Sequence, residues 1–253
     1  IVTTITPTPS GTPIDVVINN AGVSLTVGLD AAANTAGPAA GVSALVVDAS
    51  ALAAAFTLNV ATDIVNDVDA NKTASFKAGA STKDALNFAA GVNTTAKTSV
   101  SGFETVSFKG GNFNAVNTTG VTLYKTDGAA LTLTNLRGVE NVELGSYNAA
   151  TDTGSNGGGV QNFRTNAVSN DSALNLTAKF AAGAAQEINT KGFTTLNLKL
   201  DTLLAQTVGK NFNLNLQKVA VNGADASVAV TSGGAVAYAN AAAVPVTDFT
   251  KSN

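Results

Sequence analysis

Apolar and polar residues alternate in short segments along most of the chain. Ile14-Asp15-Val16-Val17-Ile18 and Val23-Ser24-Leu25-Thr26-Val27 flank the turn signal Asn19-Asn20-Ala21-Gly22, which predicts a hairpin-like or turn-linked strand pair. Residues 31–41 (AAANTAGPAAG) are small and turn-rich and read as a loop. Residues 44–60 (ALVVDASALAAAFTLNV) predict strand, turn, strand. A helical turn over residues 51–56 is the competing reading there, because alanine is the best helix former. Further strands are predicted at residues 120–124 (GVTLY), 130–136 (ALTLTNL), 173–177 (ALNLT), 212–216 (FNLNL) and 219–221.

One phrase recurs from residue 100 onward: GFETVSF (102–108), GVENVEL (138–144), GVQNFRT (159–165) and GFTTLNL (192–198). Each opens on Gly, for a tight turn or a close backbone approach, and ends in the alternation of a half-buried strand. The starts lie 36, 21 and 33 residues apart, in the range of solenoid rungs with inserts of variable length. A strict solenoid would keep one period, so the irregularity speaks against it. Thr and Asn fill the outward positions, and Asn repeated on stacked strands can form ladders. The fold predicted is all-β, a β-solenoid of stacked strands resembling a parallel β-helix. A β-sandwich shares the same alternation and is the alternative.

Composition sharpens this reading. Ala (45), Thr (33), Asn (27) and Gly (24) make up about half of the 253 residues, and Cys, Met, Trp and His are absent. Neither a Cys–His nor a Ser–His–Asp nucleophile can be built, nor an ordinary zinc site or a disulfide framework. Aromatics are only 6%, so a compact core would be thin, and layered folds in which small residues stack closely fit better. Charged residues are 12%, about half the ordinary share of roughly 25%. The formal charge is −3 and there are only two Arg (Arg137, Arg164), which argues against a nucleic-acid partner. No apolar run approaches the roughly 18 residues of a membrane helix, so no membrane span is expected. The chain opens on Ile1, which reads as a processed product or a fragment.

Three of the five prolines fall within residues 6–13 (TPTPSGTP), which makes residues 1–13 an extended segment or linker. Residues 14–100 then form a small β-rich domain, and residues 101–253 a β-rich domain carrying the repeats.

Candidate chemistry is sparse. Asp63, Asp67, Asp69 and Asn71 (DIVNDVDAN) present hard oxygen ligands at alternating positions that could chelate calcium. Lys72 stands where an EF-hand needs Gly, and Ala78 where it needs Glu, so this is no EF-hand; a solvated loop is the plainer reading. Glu104 and Glu140 share one place in the repeat phrase and read as an outward polar position on equivalent strands, not as a catalytic pair. The scattered lysines read as guards of edge strands; a polysaccharide-binding role for the run from Lys72 to Lys97 is the rival.

The phrase VVDASAL…FTLNV over residues 46–60, together with GFETV (102–106) and GVENV (138–142), resembles the surface-layer proteins of Gram-negative bacteria, of the Caulobacter and Campylobacter type. The resemblance covers residues 44–220 in patches. It implies a secreted protein of the cell surface that tiles into a lattice, commonly with calcium bound to a β-solenoid and with a separate region anchored to surface polysaccharide. The nonapeptide calcium repeat of such families is missing, so no calcium row is carried over. The expected function is that of a structural, self-assembling extracellular subunit whose partners are copies of itself. A glycan-binding domain of a secreted adhesin is the alternative, and a β-helix polysaccharide lyase a more distant one.

Overall fold

The computed structural model describes the side chains of residues 46–60, 73–88, 91–126, 129–145, 159–166, 172–179 and 188–199, and the backbone of strands outside these ranges. The chain forms two compact units, residues 1–122 and 123–253. Every described element is a β-strand or a turn, and every described strand pairing is parallel.

The first unit contains β1 (Val2–Ile5), β2 (Ile14–Val17), β3 (Ser24–Val27), β4 (Ala44–Asp48), β5 (Thr57–Val60), β6 (Thr73–Lys77), β7 (Ala85–Phe88), β8 (Val92–Asn93), β9 (Thr98–Ser101), β10 (Thr105–Phe108), β11 (Gly111–Asn114) and β12 (Thr118–Thr119). Consecutive strands turn away from each other into different sheets. One sheet runs β1-β3-β5-β7-β10, a second β2-β4-β6-β9-β12, and a third pairs β8 with β11. Each strand therefore pairs with the strand one coil away, which makes the unit a parallel β-solenoid.

The predicted hairpin is corrected by this topology. β2 pairs with β4, while β3 lies between β1 and β5 in another sheet. β2 and β3, which flank the Asn19-Asn20-Ala21-Gly22 signal in the sequence, therefore do not pair with each other. Between β4 and β5 the chain makes turns and no helix, as strand, turn, strand requires.

The second unit contains β13 (Leu123–Thr126), β14 (Leu131–Leu136), β15 (Val139–Gly145), β16 (Val160–Thr165), β17 (Ala173–Lys179), β18 (Gln186–Lys191), β19 (Thr195–Leu200), β20 (Gln206–Val208), β21 (Phe212–Gln217), β22 (Ser227–Ser232) and β23 (Val236–Tyr238). Its strands fall into two sheets, β13-β15-β17-β19-β22 and β14-β16-β18-β21-β20-β23, alternating between them from β13 to β20. The segment predicted at residues 219–221 lies outside the described residues.

The alternation sorts side chains as the sequence suggests. In β5, β7, β10 and β13 every second residue is buried. The core of the first unit is aromatic: Phe88 stacks on Phe108 with ring centroids 5.6 Å apart and an interplanar angle of 17°. Phe113 and Phe76 close on Phe88 at 6.0 and 6.3 Å, and Phe56 meets Phe103 at 6.1 Å. The second unit is mostly aliphatic, with Val142, Leu176 and Leu198 buried in register on successive strands.

The repeat phrase marks corners. Gly102 and Gly192 have φ of +76° and +89°, which L-residues with side chains rarely adopt. A Cβ on Gly192 would also stand 2.2 Å from the Thr165 carbonyl oxygen. The phrase has two forms in space. In GF phrases Phe103 and Phe193 turn into the core before the strand begins, whereas in GV phrases Val139 and Val160 already lie on the outer face, 63% and 41% exposed.

Candidate interaction surfaces

Alternation leaves the outward residues of each sheet in rows that run from coil to coil. In the second unit Asn141, Asn175 and Asn197 occupy one register position. The Asn175 side-chain amide donates to the Asn141 oxygen at 3.0 Å, and that of Asn197 to the Asn175 oxygen at 2.8 Å. A second ladder runs on the other sheet, from Asn189 to Asn162 at 3.0 Å and from Asn162 to the Thr132 hydroxyl at 3.1 Å. In the first unit Asn87 donates to Asn59 at 3.0 Å. An amide both donates and accepts, so identical residues satisfy one another along the stack.

Charges on these faces are also matched across coils. Glu143 receives Lys125 at 3.2 Å and Lys179 at 2.9 Å. Partial burial would raise the Glu143 carboxyl, but the Lys179 hydrogen bond and the Lys125 charge outweigh it and hold it below the ordinary range. Lys77 meets Asp48 at 3.8 Å. Lys77 sits on β6, between β4 and β9, so it does not guard an edge. Lys97 lies in a turn and Lys83 in the connection between β6 and β7, and Lys72 is outside the described residues, as are Asp63, Asp67, Asp69 and Asn71. Among the described residues no three His, Cys, Asp or Glu converge as metal ligands.

The outward reading of Glu104 and Glu140 is corrected. Glu140 is 5% exposed and points inward, sharing its register position with buried Leu174 and Leu196. Its Oε1 accepts the Arg137 backbone N–H at 2.6 Å, because the corner at Arg137-Gly138 leaves that donor without a strand partner. Burial raises the Glu140 carboxyl, opposed by that hydrogen bond and by the Arg137 charge. Burial, with the charge of Glu140, also raises the Tyr124 phenol.

Glu104 belongs to a different corner. Its Oε2 accepts the Asp84 N–H at 2.8 Å, and Asp84 Oδ1 accepts the Phe56 N–H at 2.7 Å, so two side-chain caps link three successive coils. In the second unit Ser172 and Thr194 do the same work with hydroxyls: Ser172 Oγ accepts the Thr194 N–H at 3.1 Å, and Thr194 Oγ1 donates to the Ser172 carbonyl at 2.8 Å. These caps escape sequence reasoning because each is a single polar residue just before a strand. Only the 20-residue offset of Asp84 and Glu104 hints at a shared corner.

Among the described residues no helix is long and apolar enough to cross a membrane. Compared with protein-family models, with curated proteins and with solved structures, the chain gives no match.

Proposed function

We propose that the chain is a structural, self-assembling subunit of an extracellular surface layer or sheath, without catalytic activity, and that its partners are further copies of itself. The observation that carries this reading is the pair of outward Asn and Thr ladders on the parallel sheets of the second unit. The rows themselves are regular and uncharged, and interface cores are depleted of charged residues because charge is expensive to desolvate. Each inner ladder Asn already uses one donor and its acceptor oxygen within the molecule, which lowers the cost of covering it.

In this reading Asp63, Asp67, Asp69 and Asn71, in the segment between β5 and β6, bind calcium and couple assembly to it. The phrases shared with surface-layer proteins favour the same class. The test is negative-stain electron microscopy with sedimentation velocity, run in millimolar calcium and in chelator. Ordered sheets, tubes or filaments that dissolve on chelation are expected. A monomer at every calcium concentration, with no ordered polymer, overturns the reading.

A further inference from the structure

One sheet of the first unit carries two rows without charge. Thr57 and Asn59 on β5, Ala85 and Asn87 on β7, and Thr105 and Ser107 on β10 are the outward residues of their strands, and they stand in direct register from coil to coil. The register carries the same two positions back to Ser24 and Thr26 on β3 and to Val2 and Thr4 on β1. Ten register positions on five coils thus hold six hydroxyl residues, two amides and two aliphatics, with no Asp, Glu, Lys or Arg. The other sheets differ. β2-β4-β6-β9 sets Asp15 in the row of Val46, Ser75 and Ser99, and Asp48 in that of Lys77. The second unit sets Lys125, Glu143, Thr177 and Lys199 in one row.

The grid is regular and held in place. Coils are about 4.8 Å apart and alternate residues of a strand about 6.7 Å, and none of these four pairings shifts register. The six described side chains of the grid are all half-buried. Asn87 donates to Asn59 at 3.0 Å, which orients both amides, and Thr is stiff at χ1. Beneath them Leu58, Leu86 and Val106 are fully buried, so the face rests on packed core. The nearest charges lie at its margin: exposed Lys83 and Lys109, two positions before Ala85 and two after Ser107, and Glu104, which caps the Asp84 N–H.

A small soluble ligand needs one site, whereas two rows repeated over five coils suit a ligand that repeats with the same spacings, a crystal surface. An ionic mineral would call for charge opposite its ions, which the grid lacks. Every described Phe and Tyr is buried, so no ring is offered to a crystalline sugar. Ice fits. The oxygens on a prism face of hexagonal ice lie in a rectangular repeat close to that of the grid. Hydroxyls and amides both donate and accept, as lattice water does, and the Thr and Ala methyls fill the hollows between. We propose that the face formed by β1-β3-β5-β7-β10 binds ice, and that the chain thereby adsorbs to growing crystals and slows them.

The test freezes a dilute solution of the whole chain slowly onto a cold finger and compares protein in the ice with protein left in the liquid, beside an unrelated globular protein. Nanolitre osmometry on the same samples reads the gap between melting and freezing points. Ala85→Tyr and Thr105→Tyr place a bulky side chain within the grid; Ser75→Tyr places it on the outward side of β6, in the other sheet. Circular dichroism and thermal melts check that each variant folds. Wild type and Ser75→Tyr are expected to enter the ice and to open a freezing gap that widens with concentration. Ala85→Tyr and Thr105→Tyr should fall to the level of the unrelated protein. Wild type left in the liquid like that protein overturns the proposal, and this arm decides even where a variant fails to fold. Equal incorporation of folded Ala85→Tyr and Thr105→Tyr also overturns it, as does retention on microcrystalline cellulose in place of ice. The protein is kept dispersed in chelator, so the result stands apart from the assembly reading.

Discussion

Phe88 is the place where the stacked-coil architecture can be tested by one substitution. Its ring lies 2% exposed against Phe108 from the next coil at 5.6 Å, with Phe113 at 6.0 Å and Phe76 at 6.3 Å. Phe88→Ala removes the ring from a site walled by backbone of adjacent coils, which cannot collapse far without breaking strand register. The loss should be about 3–5 kcal/mol, the range for buried aromatics cut to alanine. Part of that is specific to aromatic contact, since such a pair contributes about 0.5–1.5 kcal/mol beyond area burial. A double-mutant cycle isolates it: Phe88→Leu, Phe108→Leu and the double variant, each followed by guanidinium denaturation at fixed temperature. The leucines keep most of the buried apolar volume, so each single change should cost less than the Ala variant, and the coupling energy should fall near 1 kcal/mol. A loss below about 1 kcal/mol for Phe88→Ala would mean that the ring is not packed between coils. A coupling of zero would mean that Phe88 and Phe108 do not stack. Either result contradicts the register in which Ser107 opposes Asn87 and Val106 opposes Leu86.

Other positions give sharper signs. Gly192→Ala combines a φ of +89° with a Cβ 2.2 Å from a backbone oxygen, and should destabilise by at least ~2 kcal/mol in thermal melts, more than any alanine placed on an exposed strand position. Asn175→Asp keeps the acceptor used by Asn197 but turns a carboxylate toward the Asn141 oxygen, so it should cost about 1 kcal/mol more than Asn175→Ser by chemical denaturation. Glu140 has its folded carboxyl raised above the ordinary value of 4.5, so the native state holds the proton longer than the unfolded chain. Its contribution is present at acid pH and is lost as pH rises through the folded value. Glu140→Gln keeps the acceptor for Arg137, cannot ionise, and should gain stability relative to wild type as pH rises above 4.5; a difference independent of pH would refute this. Glu143 has the opposite sign. Its carboxyl is held low, so its contribution is lost only as pH falls through that lowered value, and Glu143→Gln should match wild type in strong acid and be weaker at neutral pH.

The alternation of residues 44–60 and 102–108 carried the fold class, because a strand buried on one face must place every second side chain inward. The outward Asn of residues 141, 175 and 197 carried the ladders for the same reason: one amide per rung at one register position. Pairing was less legible. Residues 14–17 and 24–27 look like a hairpin locally, and nothing within ten residues of either says that the true partner lies a coil away. Glu140 was misread because its phrase matches that of Glu104, yet in the GV phrase the strand begins directly at Val139, and the shift turns the following Glu inward. The uncharged face shared by β5, β7 and β10 was invisible for a related reason: it depends on coils of 28 and 20 residues, which no single period predicts.

That unequal coil length first argued against a solenoid, and the corners explain why it does not. Asp84 and Glu104 meet across 20 residues and Phe56 and Asp84 across 28, yet both make the same cap; Asn141 and Asn175 meet across 34 and Asn175 and Asn197 across 22, yet both make the same ladder bond. What repeats is the cross-section and not the count of residues. A corner cap and a ladder amide fix where each strand begins relative to the one before it. The chain between them is then free to lengthen, and loop closure penalises this weakly, by about 0.6 kcal/mol per doubling. Without disulfides, register rests on these caps and on the inward Phe and Leu rows. Insertions between β5 and β6 or between β15 and β16 should therefore be tolerated, while loss of the Asp84 carboxylate strands the buried Phe56 N–H. Asp84→Ala leaves the Phe56 N–H unpaired, at a penalty of about 1–3 kcal/mol, whereas ten glycine and serine residues inserted between β5 and β6 should cost less than 1 kcal/mol in the same denaturation assay. The reverse order would place control of register in coil length and not at the corners.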